Sequence, residues 1–341
     1  MLYGYYEQSG SPFRANALNE LKEFLARMDL TYDDGIEYTS VIRDSNQRIV
    51  ACASLQENVI KCVAVDPSLQ GEGITATLMT ALKREALERG HRHLFLYTKP
   101  ENAMQFSGIG FHEIVRTDNV LLMENRRGGF DAWVESVRCA GANGTIGAAV
   151  MNCNPMTNGH AYLIEQAAAQ CDTLYLFIVS EDKSAVPAAD RRRIATEATA
   201  HLANVHVVQT GRYLISSATF PDYFIKDKSR SGEVWTQLDI AVFCRAAQAL
   251  GITKRFVGTE PFCPTTNAYN DAMARSLPQA DIELIQLPRF EQDGTAISAT
   301  AVRALIAEGR WQETEKLVPT ATWRYISEEE NREKILARIK T

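Results

Sequence analysis

Met151-Asn152-Cys153-Asn154-Pro155-Met156-Thr157-Asn158-Gly159-His160 is the stretch whose reading decides the fold. An apolar run, Ile146 to Met151, leads into it, and His160, Leu163, Ile164, Ala167 and Ala168 recur after it at helical spacing. The segment therefore reads as strand, tight turn, helix, with Thr157-x-Gly159-His160 at the turn. A helix N-terminus presents unpaired backbone N–H groups and the positive end of the helix dipole, which suits an anion. Gly159 lets a bulky anion come close to the backbone, and His160 at the helix start can donate a hydrogen bond to a phosphate oxygen.

A second stretch, Ile297-Ser298-Ala299-Thr300-Ala301-Val302-Arg303, lies about 140 residues further on. Ser298 reads as an N-cap, and Ala301, Val302, Leu305 and Ile306 form the buried face of a helix that ends at Gly309. This is a second helix N-terminus, carrying hydroxyls and an arginine. In this order the two stretches resemble the H/T-x-G-H phosphate site, in its Thr form, and the I-S-S-T-x-x-R signature of the nucleotidylyltransferase superfamily.

A length of 341 residues predicts two domains, each long enough to bury a core. The composition, 45% hydrophobic and 23% charged, places the chain with soluble globular proteins. A net charge of −6 argues against a general nucleic-acid surface. No run of 18 apolar residues is present and the first residues lack a signal-peptide pattern, so no membrane partner is expected. The seven cysteines are odd in number and form no C-x-x-C pair, which predicts neither disulfide framework nor zinc site and fits a cytoplasmic protein. Cys153 reads as a small apolar filler, and no convincing Cys/His pair is visible.

Residues 12–30 read as an amphipathic helix, and Val41-Ile42 with Ile49 to Cys52 as a hairpin. A strand over Asn58 to Val65 leads through Gln70-Gly71-Glu72-Gly73-Ile74-Thr75 into a helix with Leu78, Met79, Leu82 and Ala86 on one face. His93 to Tyr97 forms the next strand, Asn102 to Ser107 a short helix, and Gly110-Phe111 opens another strand. Gln70-x-x-Gly73-x-Thr75 and Asn102…Phe106-x-x-x-Gly110-Phe111 resemble the Gcn5-related N-acetyltransferase fold. That resemblance implies a loop at a helix N-terminus, with Gln70, Gly71 and Gly73, holding a coenzyme-A-type pyrophosphate through backbone N–H groups. Two positions depart from the family: Thr75 replaces a small residue, and Ser107 stands where a tyrosine general acid is common.

From Thr145 onward strands alternate with helices, with Thr173 to Val179, Val205 to Val208, Arg255 to Gly258 and Ile282 to Leu287 as strands. The expected architecture is α/β throughout. A Gcn5-related N-acetyltransferase-like domain spans 1–128 and a linking helix and turn 129–144; a doubly wound parallel-sheet, Rossmann-like nucleotidylyltransferase domain spans 145–341. Ligands of such sheets bind beyond the carboxyl ends of the strands. Four loops lie there: Asn154, Thr157, Gly159 and His160; Ser180 to Lys183, with Arg191-Arg192-Arg193 behind; Gly258-Thr259-Glu260; and Ser298, Thr300 and Arg303. The superfamily resemblance implies a cation for the transferring phosphate at Lys183; Glu260 reads as a ribose or metal-water ligand, and Lys226 and Lys228 as further basic candidates.

Longer runs sharpen the comparison. Val150-Met151-Asn152-x-Asn154-Pro155-x-Thr157-Asn158-Gly159-His160, Ala218 to Lys226, Arg255 to Cys263 and Asn58 to Ala64 resemble the citrate (pro-3S)-lyase ligase family across nearly the whole chain. The resemblance implies activation of acetate with ATP and Mg²⁺, then acetylation of a thiol. That thiol belongs to the dephospho-coenzyme A-type prosthetic group on the acyl carrier subunit of citrate lyase. Two other functions fit the residues alone: adenylyl transfer to a phosphopantetheine-like substrate, and a non-catalytic nucleotide-sensing module that binds a carrier.

Overall fold

The computed structural model describes residues 4–69, 73–181, 184–214, 221, 223–225, 228–260, 264–292 and 295–339. The chain divides into two compact units, residues 1–129 with 219–241 and residues 130–218 with 242–341.

The first unit holds β1 (Tyr6–Gly10), α1 (Ala15–Arg27), β2 (Tyr38–Arg43), β3 (Ile49–Gln56), β4 (Val59–Val65), α2 (Ile74–Glu88), β5 (Phe95–Thr98), α3 (Ala103–Ser107), β6 (His112–Arg116) and β7 (Leu121–Glu124). Its sheet runs β1-β2-β3-β4-β5-β7-β6. All pairs are antiparallel except β4 with β5, which is parallel because α2 carries the chain back between them. Leu78, Met79, Leu82 and Ala86 of α2 are buried against Leu55, Ile60 and Leu96, as their spacing predicts. β1 lies outside the sequence expectation for a physical reason: its residues are almost all exposed and carry no alternation to read.

The second unit contains α4 (Gly129–Val137), β8 (Ile146–Met151), α5 (Asn158–Ala168), β9 (Thr173–Ile178), α6 (Ala188–Ala198) and β10 (Val205–Gln209). After α7 (Ser231–Leu250), in which the unit boundary falls, come β11 (Lys254–Gly258), α8 (Pro264–Ser276), β12 (Glu283–Leu287), and the short strands β13 (Glu291–Gln292) and β14 (Thr295–Ala296). Four helices close the chain: α9 (Ala299–Ala307), α10 (Trp311–Leu317), α11 (Thr320–Ser327) and α12 (Glu329–Ile339).

The main sheet is parallel with the order β10-β9-β8-β11-β12. Strands β8, β9 and β10 proceed outward to one side, and β11 and β12 restart on the other side of β8. The order therefore reverses between β8 and β11, and a crevice opens there beyond the carboxyl ends of the strands. Every residue of β9 is buried, as expected for an inner parallel strand covered on both faces.

Two segments sit differently from the sequence expectation. Residues 219–241 pack with the first unit, although the reading above placed all of 145–341 together. The helix expected as a linker is α4, and it is part of the second unit: Phe130 and Val134 are buried, and Trp133 donates to the Gln209 carbonyl at 3.3 Å and packs on Tyr213 with ring centroids 4.9 Å apart. Its apolar residues bury area, which a solvated linker would not do. No helix among the described residues is long and apolar enough to cross a membrane.

Candidate functional site

Thr157 is the N-cap of α5, and His160 is the third residue of its first turn. The Thr157 side chain accepts the His160 amide at 3.4 Å, and His160 Nδ1 accepts the Thr157 amide at 3.0 Å. This is a capping box in which an imidazole stands where Glu or Gln is usual. The Thr157 hydroxyl lies 2.9 Å from the same Nδ1. Since Nδ1 accepts, the neutral ring carries its proton on Nε2, the nitrogen left for a ligand. Burial, and then the charge of Arg289, holds the imidazole pKa down to about 4. The ring is therefore a neutral donor near neutral pH. The cap consumes the amides of Thr157 and His160, and those of Asn158 and Gly159 lie outside it at the helix end.

Gly159 has a second reason to be glycine. A Cβ there would stand 3.3 Å from the carbonyl oxygen of Ile297 and 3.8 Å from its Cβ. The sequence reading gave Gly159 to a bulky anion; in the fold, its missing side chain lets the backbone before α9 approach the start of α5. Ser298 caps α9 by accepting the Ala301 amide at 3.1 Å. Val302 and Ile306 are buried as expected, whereas Ala301 is exposed and Leu305 half-buried. Arg303 donates through Nη1 to the Asn154 carbonyl at 2.6 Å and through Nη2 to the Thr300 hydroxyl at 3.0 Å. Asn154 Oδ1 accepts the Val186 amide at 2.9 Å.

The loop beyond β11 joins the same crevice. Leu163 of α5 lies 3.4 Å from where a Cβ on Gly258 would stand, and the Gly258 carbonyl accepts from Asn270 at 3.1 Å. Glu260 forms an ion pair with Arg289, which also donates to the Thr259 carbonyl at 2.9 Å. Glu260, expected to meet ribose or metal-bound water, thus already neutralises a cation. Arg289 escaped the sequence reading because nothing local marks it; its signal is its position two residues beyond the end of β12. Phe290 packs on Tyr162 of α5 with ring centroids 5.3 Å apart.

Asn154, Thr157, Gly159, His160, Gly258, Glu260, Ser298, Thr300 and Arg303 thus lie on loops that meet beyond β8, β11 and β12. The C-terminal helices support the turn from behind: Thr322 donates to the Met156 carbonyl at 3.0 Å, and Asn158 to that of Lys316 at 2.9 Å. Lys183 and its neighbour Asp182 lie outside the described residues, as does Lys226. Lys228 belongs to the segment grouped with the first unit.

The triple arginine has three environments. Arg191 is fully buried and donates to the carbonyls of Val186, Asn152, Val179 and Glu181 and to Asn152 Oδ1. It is a clamp that fixes the loops after β8 and β9, with its donors spent on protein. Arg192 is exposed, and Arg193 pairs with Asp190 and Glu197 and lies over the Tyr325 ring. Cys153 is buried, and burial pushes its thiol up to about 12, which keeps it protonated and out of nucleophilic chemistry. Among the described residues no group of three or more His, Cys, Asp and Glu side chains is placed to hold a metal ion.

In the first unit Gly73 caps α2 with φ of +76°, a left-handed conformation, and a Cβ there would meet nothing within 4 Å. Gln70 and Gly71 lie outside the described residues. Thr75 accepts a hydrogen bond from Gln105 at 3.0 Å, so the departure from a small residue is used to tie α2 to α3. Strands β4 and β5 pair only at Val59–Phe95 and Ile60–Leu96 and then part. The buried phenol of Tyr223 bridges the gap: it donates to the Tyr97 carbonyl at 2.8 Å and accepts from the Cys62 amide. Both parted strands are thereby satisfied by one side chain from the 219–241 segment.

Fold and turn chemistry together define a nucleotidylyltransferase-type doubly wound domain in one chain with an acetyltransferase-type domain. Two family models match accordingly: the citrate lyase ligase C-terminal domain over residues 146–326, and the acetyltransferase (GNAT) family over residues 7–111. The citrate (pro-3S)-lyase ligase of Klebsiella pneumoniae is 42% identical, covering 90% of this chain and 91% of that protein; that of Escherichia coli K12 is 41% identical, covering 94% of each. The chain belongs to the citrate (pro-3S)-lyase ligase family. Among solved structures, Thermotoga maritima TmcAL bound with alpha-thio ATP matches at 17% identity and TM-score 0.37, covering 56% of this chain and 57% of that one. Escherichia coli ElaA matches at 16% identity and TM-score 0.31, covering 36% of this chain and 98% of that one.

Proposed function

We propose that this ligase activates acetate with ATP and transfers the acetyl group to the prosthetic-group thiol on the acyl carrier subunit of citrate lyase. An acetate oxygen attacks the α-phosphorus, the bond to the β-phosphate breaks, and acetyl adenylate and pyrophosphate form. The carrier thiolate then attacks the acetyl carbon, the bond to AMP breaks, and a thioester forms. ATP and a reduced thiol as substrates place the reaction in the cytoplasm.

The observation that carries this reading is the meeting of two helix N-termini at the point where strand order reverses, joined by Arg303 to Asn154 and by the Gly159–Ile297 approach. Such a donor set suits a chain of phosphates, and transfer at phosphorus demands positioning and charge stabilisation more than covalent chemistry from the protein. On this reading His160 Nε2 and the Asn158 and Gly159 amides stabilise charge on the α-phosphate. Ser298, Thr300 and Arg303, with Lys183, hold the β- and γ-phosphates and the leaving pyrophosphate. Gly258 leaves room beside α5, and Glu260 acts through Arg289. Mg²⁺ brought in with the nucleotide would supply charge neutralisation to the phosphates. Glu260 is paired with Arg289, which fits an ion held chiefly by the nucleotide.

The first unit, on this reading, holds the dephospho-coenzyme A-type arm by its pyrophosphate at Gln70, Gly71 and Gly73. The open space before Gly73 supports that, and Tyr223 and Ser107 support a holding role without acyl transfer of its own. Holding the thiol close to a labile adenylate raises its effective concentration. Acetate-dependent exchange of labelled pyrophosphate into ATP, measured without any carrier, tests the adenylation half; no exchange with acetate would sink it.

A further inference from the structure

At the other edge of the main sheet, Cys139 and His206 form a pair that the nucleotide chemistry does not use. Cys139 follows α4, and its Sγ lies 3.0 Å from His206 Nε2 although 67 residues separate them. His206 is the second residue of β10 and Tyr175 the third of β9, and the two are register partners, so both stand toward the strands' amino ends. The Cys139 amide donates to the Tyr175 hydroxyl at 2.8 Å, which fixes the cysteine backbone over the two strands. Thiol and imidazole are each partly exposed, and both line an open cavity of about 640 Å³ shared with Arg138, Asn143 and Asp172. The sequence reading found no convincing Cys/His pair; the fold makes one from two distant segments.

We infer that Cys139 is a histidine-activated thiol and a site of reversible modification by small disulfides. His206 Nε2 takes the Cys139 proton, and the thiolate attacks one sulfur of a disulfide RSSR. The S–S bond of RSSR breaks, a mixed disulfide forms on Cys139, and the leaving thiolate takes the proton from His206 as RSH. The cavity gives the incoming sulfur room to approach in line. The charged and titratable groups around the pair are Glu135 of α4 and Arg138 just after it, paired with each other at 2.8 Å; Tyr175 of β9; and Asp172, whose carboxylate accepts the Thr145 amide at 2.7 Å. Cys171 and Cys244 are also partly exposed, but burial pushes both thiols up, so they serve as internal references.

The test treats the full-length protein with oxidised glutathione and, separately, with iodoacetamide, and follows each cysteine by peptide mass spectrometry. Cys139 should be thiolated first and alkylated about tenfold or more faster than Cys171 and Cys244 near neutral pH. His206→Gln should remove most of that lead, with folding checked by circular dichroism; His206→Asn repeats the comparison with a smaller amide. Cys139 reacting no faster than Cys171 and Cys244, or a folded His206→Gln protein keeping the full lead, would overturn the assignment.

Discussion

Arg303 Nη1 donates to the backbone carbonyl of Asn154 at 2.6 Å, across 149 residues of chain. The arginine of the second helix N-terminus thus holds the turn that carries the first. Its other nitrogen engages Thr300, and burial holds its pKa below the ordinary guanidinium value. Arg303→Ala should weaken ATP by about 10- to 100-fold, the worth of a charge-assisted hydrogen bond, and AMP much less. Calorimetry on both nucleotides reads this directly. Equal losses would mean that Arg303 serves the turn and touches no β- or γ-phosphate.

His160 has two jobs that substitutions can separate. It accepts the Thr157 amide as the third residue of a capping box, and its Nε2–H is the donor proposed for phosphate. His160→Glu restores the usual capping residue but places a carboxylate where phosphate should bind. Its melting temperature should stay near wild type, whereas His160→Ala should lose about 1 kcal/mol of capping. Both should lose about 10²- to 10³-fold in acetate-dependent exchange. A folded His160→Glu protein with normal exchange would remove His160 from the chemistry.

The same histidine makes a pH prediction. Burial and the Arg289 charge lower its folded pKa to about 4, below its value in the unfolded chain. The unfolded state binds more protons between those two values, so the stability due to neutral His160 is complete above about 6.5 and drains away as pH falls toward about 4. An NMR titration should place the His160 ring midpoint near 4. A midpoint near 6.5 would contradict a ring kept neutral by desolvation and the Arg289 charge.

For the first unit, Gly73→Val should impair acetylation of the carrier while sparing acetate-dependent exchange. Any side chain at φ of +76° costs about 1 kcal/mol or more of backbone strain, so Gly73→Ala provides the comparison for stability. Normal carrier acetylation by folded Gly73→Val protein would remove the arm from that loop. Tyr223→Phe should strip partners from the Tyr97 carbonyl and the Cys62 amide at once and cost about 1–3 kcal/mol, seen as a lower urea midpoint. An unchanged midpoint would mean that the parted strands do not depend on the phenol.

Both helix N-termini, the α2 face and the alternation of strands with helices in the second half were legible in the sequence because each rests on local spacing. Thr157-x-x-His160 also held a capping box in plain view, hidden only because histidine is an unusual third residue. What was not legible depends on distant partners. Gly159 answers to Ile297, Glu260 to Arg289, Cys139 to His206, and Tyr223 to strands more than a hundred residues earlier. In the sequence Arg191 is only one of three consecutive cations behind the second loop; its burial among backbone carbonyls shows that it organises loops.

The measurement that bears most directly on the central claim is pyrophosphate release from ATP with acetate, with and without the thiol form of citrate lyase, alongside pyrophosphate–ATP exchange. Adenylation of acetate at the crevice predicts exchange that requires acetate and no carrier, and net pyrophosphate and AMP formation that rises when the thiol carrier is added. Exchange that ignores acetate and instead requires a phosphopantetheine-like substrate, with the adenylyl group kept in the product, would contradict it.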